Sequence, residues 1–304
     1  MNYQSVIVTY NRKEKLVEAI KSLLNQKITP IRIIVIDNHS TDGTKEKLIE
    51  DKILTNPKII YVRMSKNYGG SGGFYYGIKE AMKFNDFEFL SLSDDDAIYN
   101  SNFFELISKY QKRNPNVKAF CGTVEYEDGT IQTDHRRKIT NGKWIHQEEI
   151  PQNEYRQNFK LDLFSFVGCI VSRNLINKIG LPEKDYFIYF DDTEYSLRVR
   201  KYTDIINISD AVIIHKTPKK SPKNKNLITW KNYYELRNSI LMKEKHSNWK
   251  WLRLYFYYYY LRLNFTILTN KDYRGQRQKA LYTYYHGFKD GLEHRKGRNS
   301  QFTP

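Results

Sequence analysis

The chain has 304 residues, 40% of them hydrophobic, which excludes global disorder, and its net charge is +16. No run approaches the ~20 apolar residues that cross a bilayer, so we expect no membrane-spanning helix, and the N-terminus lacks the pattern of a signal peptide. The two cysteines, Cys121 and Cys169, are too few for a disulfide framework and fit a reducing compartment.

The first 125 residues alternate strand and helix patterns. Apolar and β-branched runs predict strands at Ser5–Tyr10, Ile31–Ile36, Lys58–Arg63, Phe87–Ser93 and Lys118–Val124. Helical spacing predicts helices at Lys13–Asn25, Thr44–Glu50, Gly72–Lys83 and Ser101–Arg113, the last one capped by Asn100 or Ser101. This alternation predicts an α/β fold with a parallel sheet between helices, in which ligands bind at the carboxyl ends of the strands.

The second half is less regular. Residues 125–162 are polar and predict a hairpin or a surface excursion, and two buried strands follow at Leu163–Ser172 and Ile205–Ile214, with a helix at Glu194–Lys201 between them. The proline- and lysine-rich segment Lys216–Lys225 predicts a flexible loop. We therefore expect a catalytic domain at residues 1–215 and a helical C-terminal region at residues 216–304.

The glycine-rich segment Asn67–Gly77 (NYGGSGGFYYG) matches no phosphate-binding fingerprint. Tyr75 stands where a dinucleotide motif needs its last glycine, and Ile78 stands where a P-loop needs lysine. The glycines either let the backbone approach a ligand or form an ordinary turn from strand to helix.

Two acidic clusters and one histidine are the candidates for chemistry. Asp94, Asp95 and Asp96 follow a buried strand, and three adjacent carboxylates repel one another unless a cation such as Mg²⁺ or Mn²⁺ binds them. The alternative is a solvated acidic turn. Asp191, Asp192 and Glu194 indicate either a general base or carboxylates that stabilise a helix N-terminus. His215 follows a strand and is either a third metal ligand or a core residue.

The ordered segments SVIVTYNR, VIDNHSTDGT, NYGGSGGF, SLSDDDA and YFIYFDDTEYSLR, followed by a strand ending in histidine, resemble family 2 glycosyltransferases of the GT-A fold. Within that family the chain looks most like the galactofuranosyltransferases. The resemblance covers residues 4–215 and the segment WKNYYELRN at Trp230–Asn238. It implies an inverting, metal-dependent transferase that moves galactofuranose from UDP-galactofuranose to a hydroxyl of a lipid-linked glycan during cell-surface polysaccharide synthesis.

The resemblance also implies a role for each matching residue. The nucleotide would be bordered by Thr9, Arg12, Asp37, Asn67, Asp94 and Asp95. Asp94, Asp96 and His215 would hold Mn²⁺ or Mg²⁺. Asp192 would be the catalytic base, with Asp191 and Glu194 binding acceptor hydroxyls, and Phe166, Gly168 and Cys169 would line the acceptor subsite. Some family members carry a tryptophan pair at this last position, so Gly168 and Cys169 imply a different acceptor.

The C-terminal third is basic and aromatic. Residues 216–304 contain 20 lysines and arginines against five acidic residues, and Trp249–Tyr260 has eight aromatic residues in twelve. These features predict an amphipathic helix on an anionic membrane surface, which would place the protein peripherally on the inner face of the cell membrane. The alternative is that the aromatic side chains pack on the catalytic domain or form a homo-oligomer interface.

Two other functions compete with this interpretation. Related enzymes use other donors, such as dTDP-rhamnose. A nucleic-acid-binding protein would also be basic, but it predicts basic strand ends, whereas Asp37, Asp94–Asp96 and Asp191–Asp192 make these ends acidic. We therefore expect a nucleotide-sugar donor and a glycan acceptor as partners, and no nucleic acid.

Overall fold

The computed structural model describes residues 1–219 and 227–303. Its strands are β1 (Tyr3–Thr9), β2 (Arg32–Asp37), β3 (Ile59–Arg63), β4 (Phe89–Asp94), β5 (Ala97–Tyr99), β6 (Ala119–Glu125), β7 (Arg136–Asn141), β8 (His146–Glu149), β9 (Phe159–Leu161), β10 (Leu163–Phe164), β11 (Cys169–Ser172) and β12 (Ile205–His215). Its α-helices are α1 (Lys13–Leu24), α2 (Thr44–Glu50), α3 (Gly69–Ala81), α4 (Phe103–Arg113), α5 (Arg173–Ile179), α6 (Asp191–Val199), α7 (Lys231–His246), α8 (Leu252–Thr269) and α9 (Arg277–Leu292).

The main sheet has nine strands in the order β3-β2-β1-β4-β11-β6-β12-β5, with β9 paired to β12. Pairs β1–β2, β1–β4, β2–β3 and β6–β12 are parallel, as predicted, whereas β11, β5 and β9 run antiparallel to their neighbours. In strand β1 alternate side chains enter two cores, Val6 and Val8 on one face and Tyr3 and Ile7 on the other. This burial on both faces explains why the strand is a continuous apolar run.

Three local expectations need correction, and one is confirmed. The run Leu163–Ser172 is divided between two sheets, because Leu163–Phe164 pairs with β7 and only Cys169–Ser172 joins the main sheet. Helix α6 begins at Asp191, before the predicted start at Glu194. Helix α4 begins at Phe103 without a side-chain cap from Asn100 or Ser101. The predicted hairpin in residues 125–162 is present as β7 and β8.

Most of the glycine segment lies in helix α3, and three of its glycines are in close contact with distant parts of the chain. A Cβ atom on Gly73 would lie 2.4 Å from Val8 Cγ1, and one on Gly77 would lie 2.3 Å from Val6 Cγ1. The glycines at these two positions therefore let the helix lie directly on strand β1. Gly69, at the start of the helix, has φ +73° and approaches the Phe187 carbonyl too closely for any side chain. Packing thus accounts for glycine at these three positions.

The C-terminal helices pack on one another and on the segment before α6. Tyr233 on α7 donates a hydrogen bond to Asp290 on α9, and Tyr260 on α8 stacks on Phe288 at 4.2 Å. Residues 220–226, which include much of the predicted loop Lys216–Lys225, lie outside the described residues, and the two-domain division remains a prediction. None of the helices in the described part of the chain combines the length and apolar character that a bilayer crossing requires.

Candidate functional site

The parallel register brings predicted site residues to one edge of the sheet. Thr9 lies opposite Asp37, and Val8 lies opposite Asp94, so the carboxyl ends of β1, β2 and β4 are adjacent. Each of these strands ends in a polar residue because the apolar run stops where the sheet meets the cleft. The edge is the place where ligands bind in open α/β sheets.

Three side chains at this edge form a candidate cation site. Ligand atoms of Asp94, Asp96 and His215 all lie within 4.8 Å of one another. Asp96 Oδ1 is buried and 3.1 Å from His215 Nε2, yet it has no hydrogen bond in the described residues. Burial and the neighbouring Asp96 raise the pKa of Asp94 to about 7. Two carboxylates and an imidazole suit Mn²⁺ or Mg²⁺, and a cation would satisfy the unpaired oxygen.

A glutamine orients the histidine of this cluster. Gln132 Oε1 lies 3.0 Å from His215 Nδ1 and 3.1 Å from His135 Nε2. An amide oxygen only accepts, so His215 Nδ1 and His135 Nε2 are the donors, and Nε2 is the His215 nitrogen that faces Asp96. Burial lowers the pKa of His135 to about 3, which keeps that ring neutral. Gln132 was not identified from the sequence, because nothing near it suggests a ligand.

The middle carboxylate has a different environment. Asp95 accepts hydrogen bonds from Thr9 Oγ1 at 2.7 Å and from Arg12 at 3.2 Å. Arg12 also contacts Asp96 Oδ2 at 2.8 Å, and Lys15 lies 3.4 Å from the same oxygen. Burial raises the pKa of Asp95 to about 6 although Arg12 opposes this effect. Asp95 thus fixes the half-exposed Arg12 beside the cation site.

Asp37 and Asn67 are placed further along the edge. Asp37 is buried and accepts hydrogen bonds from Ser40 N and from the Tyr61 hydroxyl. Asn67 caps the turn into α3 by accepting from Gly69 N, and it lines a cavity of about 630 Å³. Asn38, which the sequence did not single out, joins these segments by donating to the Gly69 carbonyl at 2.6 Å.

Helix α6 begins with the second acidic cluster, Asp191, Asp192 and Glu194. Asp191 is buried, and its pKa is raised by burial, by Asp192 and also by the charge of Asp94. Asp192 is partly exposed, and Thr193 donates both its backbone N–H and its hydroxyl to Oδ1. Burial raises the pKa of Asp192. Oδ2 is therefore the oxygen that can take a proton from a substrate.

A strained loop precedes these carboxylates. Phe187, Tyr189 and Phe190 all have φ +67°, a conformation that costs a bulky residue about 1–3 kcal/mol. Buried Asn238 on α7 donates to the carbonyls of Tyr189 and two other loop residues at 2.8–3.1 Å. Arg237 donates to the loop as well, at 3.0 Å. The segment Trp230–Asn238 thus holds the loop that positions Asp191 and Asp192.

Glu194 does not face the cleft. Its side chain is fully buried and lies 2.8 Å from Arg198, 2.9 Å from Lys245 and 2.9 Å from His246. The carboxylate joins α6 to α7, and this position does not suit the binding of acceptor hydroxyls that the resemblance implies.

The implied acceptor residues after β10 are also buried. Phe166 packs on Phe74 at 4.5 Å, and Cys169 lies within the sheet opposite Leu92. A Cβ atom on Gly168 would lie 1.9 Å from Ile213, so no side chain fits there. All three residues are buried, so none of them offers an exposed side chain to an acceptor.

The sequence profile described as "Glycosyl transferase family 2" matches residues 5–180. The dTDP-rhamnosyl transferase RfbF of Shigella flexneri is 26% identical over 252 residues, 81% of each chain. A Mycolicibacterium smegmatis galactofuranosyltransferase, GlfT2, is 23% identical over 79% of this chain and 40% of its own length. The Escherichia coli UDP-Glc:alpha-D-GlcNAc-diphosphoundecaprenol beta-1,3-glucosyltransferase WfgD is 24% identical over 60% of this chain and 66% of its own.

Solved structures share the fold at low identity. The crystal structure of GalNAc-T7 with UDP, GalNAc and Mn²⁺ superposes with a TM-score of 0.64 and 15% identity, covering 96% of this chain and 56% of that one. At this identity the likeness concerns the fold alone, which is the predicted GT-A fold.

Proposed function

The chain belongs to glycosyl transferase family 2, and from this membership we propose that it transfers a sugar from a nucleotide sugar to a hydroxyl of a glycan during cell-surface polysaccharide synthesis. One observation carries the proposal. The chain has two separate carboxylate sets, Asp94 and Asp96 beside His215, and Asp191 with Asp192, and the charge of Asp94 contributes to the raised pKa of Asp191. Sugar transfer with inversion needs both, one set to hold a cation and one carboxylate free to act as base.

In the proposed mechanism Asp94, Asp96 and His215 hold Mn²⁺ or Mg²⁺. A bound cation would neutralise the charge that develops on the departing nucleoside diphosphate. Arg12, fixed by Asp95, adds positive charge at the same edge. Asp192 Oδ2 takes the proton of the acceptor hydroxyl as its oxygen bonds to the anomeric carbon and the bond to the diphosphate breaks. The raised pKa of Asp192, caused by burial, makes it a stronger proton acceptor.

The proposed donor is UDP-galactofuranose, supported by the NYGGSGGF and DDTE segments and by the match to GlfT2. The second candidate is dTDP-rhamnose, supported by the match to RfbF, which covers 81% of both chains. The proposed acceptor is a lipid-linked glycan. The relative WfgD is likewise named for a lipid-linked acceptor, alpha-D-GlcNAc-diphosphoundecaprenol.

The donor and the base are tested together by nucleoside diphosphate release with Mn²⁺. The panel contains UDP-galactofuranose, UDP-galactopyranose and dTDP-rhamnose, each with and without glycan acceptors. We expect the wild type to release the nucleoside diphosphate from either UDP-galactofuranose or dTDP-rhamnose. The Asp192→Asn variant should lose this release but still bind UDP or dTDP. Glu148→Gln, an exposed carboxylate on β8, is the matched control. Turnover of UDP-galactopyranose alone would contradict both donor assignments, and undiminished turnover in Asp192→Asn would exclude that residue as the base.

The proposed location is the inner face of the cell membrane, supported by helix α8. Half of the aromatic residues of Trp249–Tyr260 pack inward. Tyr255, for example, stacks on Trp144 with 5.6 Å between the ring centroids. The other face of α8 leaves large apolar side chains exposed, including Leu261 at 67% and Phe265 at 68%. Apolar patches of this kind mark interaction sites, and the surrounding positive charge favours an anionic membrane.

Co-sedimentation with phosphatidylglycerol vesicles at low salt tests this location. We expect the wild type to sediment with the vesicles and the double variant Leu261→Asn, Phe265→Asn to remain in solution. Ile49→Asn, an exposed apolar residue on α2, should bind like the wild type. Equal binding by all three proteins would show that α8 is not the membrane contact.

A further inference from the structure

A second cavity lies between the C-terminal helices and the β7–β8 hairpin. Its volume is about 440 Å³, and helices α7, α8 and α9 supply most of its wall. Leu236, Ile240, Phe256, Leu263 and Phe288 make much of that wall apolar. Phe190 also lines the cavity, and the next residue in the chain is Asp191. The cavity therefore begins beside the carboxylates of the proposed transfer site.

Two cationic side chains, Lys243 on α7 and Arg262 on α8, line this cavity. The Lys243 ammonium lies 5.6 Å from the centroid of the Tyr255 ring. Within residues 1–219 and 227–303, neither cation has a carboxylate at ion-pair distance. Burial lowers the pKa of Lys243 to about 8, so the ammonium lacks the compensation that an anion would give it.

The cavity wall is partly apolar and also includes the Glu235 carboxylate, but Lys243 and Arg262 lie at ion-pair distance from no carboxylate of the described residues. An apolar wall beside two such cations fits an amphiphile with an anionic head. Lys243 is partly buried, and charges removed from water are normally paired in proteins. A phosphoryl group would pair with Lys243 and with the exposed Arg262. The apolar wall would receive the first carbons of a lipid chain. Helix α8 carries both the exposed apolar face and five of the lining residues, so the proposed membrane contact and the cavity share one helix.

We propose that this cavity binds the diphosphate and the adjoining carbons of a lipid-linked acceptor, with Lys243 and Arg262 on the phosphoryl oxygens. The inference rests on the proposed function, because the bound lipid would present its sugar to Asp192. It adds a binding site that is separate from the cation site at the strand ends.

Calorimetric titration with farnesyl diphosphate, a soluble lipid diphosphate, tests the site. EDTA is present so that the cation site does not take up the diphosphate. We expect saturable binding to the wild type, binding about 10–100-fold weaker in Lys243→Met and in Arg262→Met, and no binding of farnesol. Lys250→Met is the matched control, since Lys250 also lies over an aromatic ring, at 5.5 Å from Trp251, but outside the cavity.

Three results would overturn the proposal. The first is wild-type affinity in both Lys243→Met and Arg262→Met, with melting temperatures that show both variants folded. The second is equal binding of farnesol, and the third is displacement of the probe by phosphatidylglycerol vesicles, which would assign the cavity to phospholipid headgroups. Because titration needs no turnover, failure of every nucleotide sugar in the donor panel would reject the proposed function without altering this readout.

Discussion

The buried carboxylate of Glu194 allows a stability prediction with a worked magnitude. Burial alone raises its pKa, but the hydrogen bond from His246 and the charges of Arg198 and Lys245 outweigh burial and lower the pKa from 4.5 to about 2. Each pH unit of this difference corresponds to about 1.4 kcal/mol. The ionised carboxylate therefore contributes about 3 kcal/mol to the free energy of unfolding at neutral pH.

Glu194→Gln should lose this contribution. For 304 residues the unfolding entropy is about 0.6 kcal/mol/K, so the melting temperature should fall by about 5 °C. The pKa is lowered in the folded state, so the stabilisation is present above pH 4.5 and disappears as the pH falls toward 2. The difference between wild type and variant should shrink over that interval.

Urea unfolding at pH 7 and at steps below pH 4.5 measures both effects. Glu50→Gln removes an exposed carboxylate that lies 3.7 Å from Lys47, and it should change the free energy of unfolding by less than about 0.5 kcal/mol. A Glu194→Gln variant as stable as the wild type, or a difference independent of pH, would refute the reasoning. A raised acceptor KM with unchanged stability would instead support the acceptor role that the resemblance implies.

Two further predictions concern the cation site and the contact of α3 with the sheet. Gln132→Leu should weaken Mn²⁺ binding about 10–100-fold, because His215, the proposed metal ligand, loses the hydrogen bond that orients its ring. Titration followed by electron paramagnetic resonance measures this, and unchanged affinity would exclude the orienting role. Gly73→Ala should destabilise the protein by about 1–3 kcal/mol in urea, because the added methyl group meets a β1 valine. Gly70→Ala, with no atom within 4 Å of the new Cβ, is its control, and equal losses would contradict the packing argument.

The sheet was predictable because its strands are continuous apolar runs that stop at polar residues. Ile31–Ile36 predicted a strand before Asp37, and Phe87–Ser93 predicted one before Asp94, each within two residues of the observed bounds. Parallel strands end at one edge, so the convergence of these carboxylates followed from the strand assignment alone. The division of Leu163–Ser172 between two sheets was not predictable, because both parts are apolar and pairing depends on distant strands.

The candidate ligands of a cation could be predicted from the sequence, but the residue that supports them could not. Residue type and position after strands indicated Asp94–Asp96 and left His215 open. The resemblance to family 2 glycosyltransferases implied the set Asp94, Asp96 and His215, and the structure brings these three side chains together. Gln132, which orients the histidine, lies in a polar segment without regular pattern, and only tertiary contacts reveal it. The placement of Glu194 depends on Lys245 and His246, about 50 residues later in the chain. Local spacing does not contain that information.

The hydrogen bonds from Arg237 and Asn238 to the loop before Asp191 have a consequence for the timing of biosynthesis. Asn238 follows Ile188, one of its partners in this loop, by 50 residues. At about 5–20 residues per second a ribosome needs roughly 3–10 s to add that stretch. During this interval water is the partner of the loop carbonyls, and nothing offsets the strain at the three aromatic residues. A nascent chain with its sheet already formed would still lack ordered carboxylates at Asp191 and Asp192, so the proposed sugar transfer would require synthesis beyond Asn238.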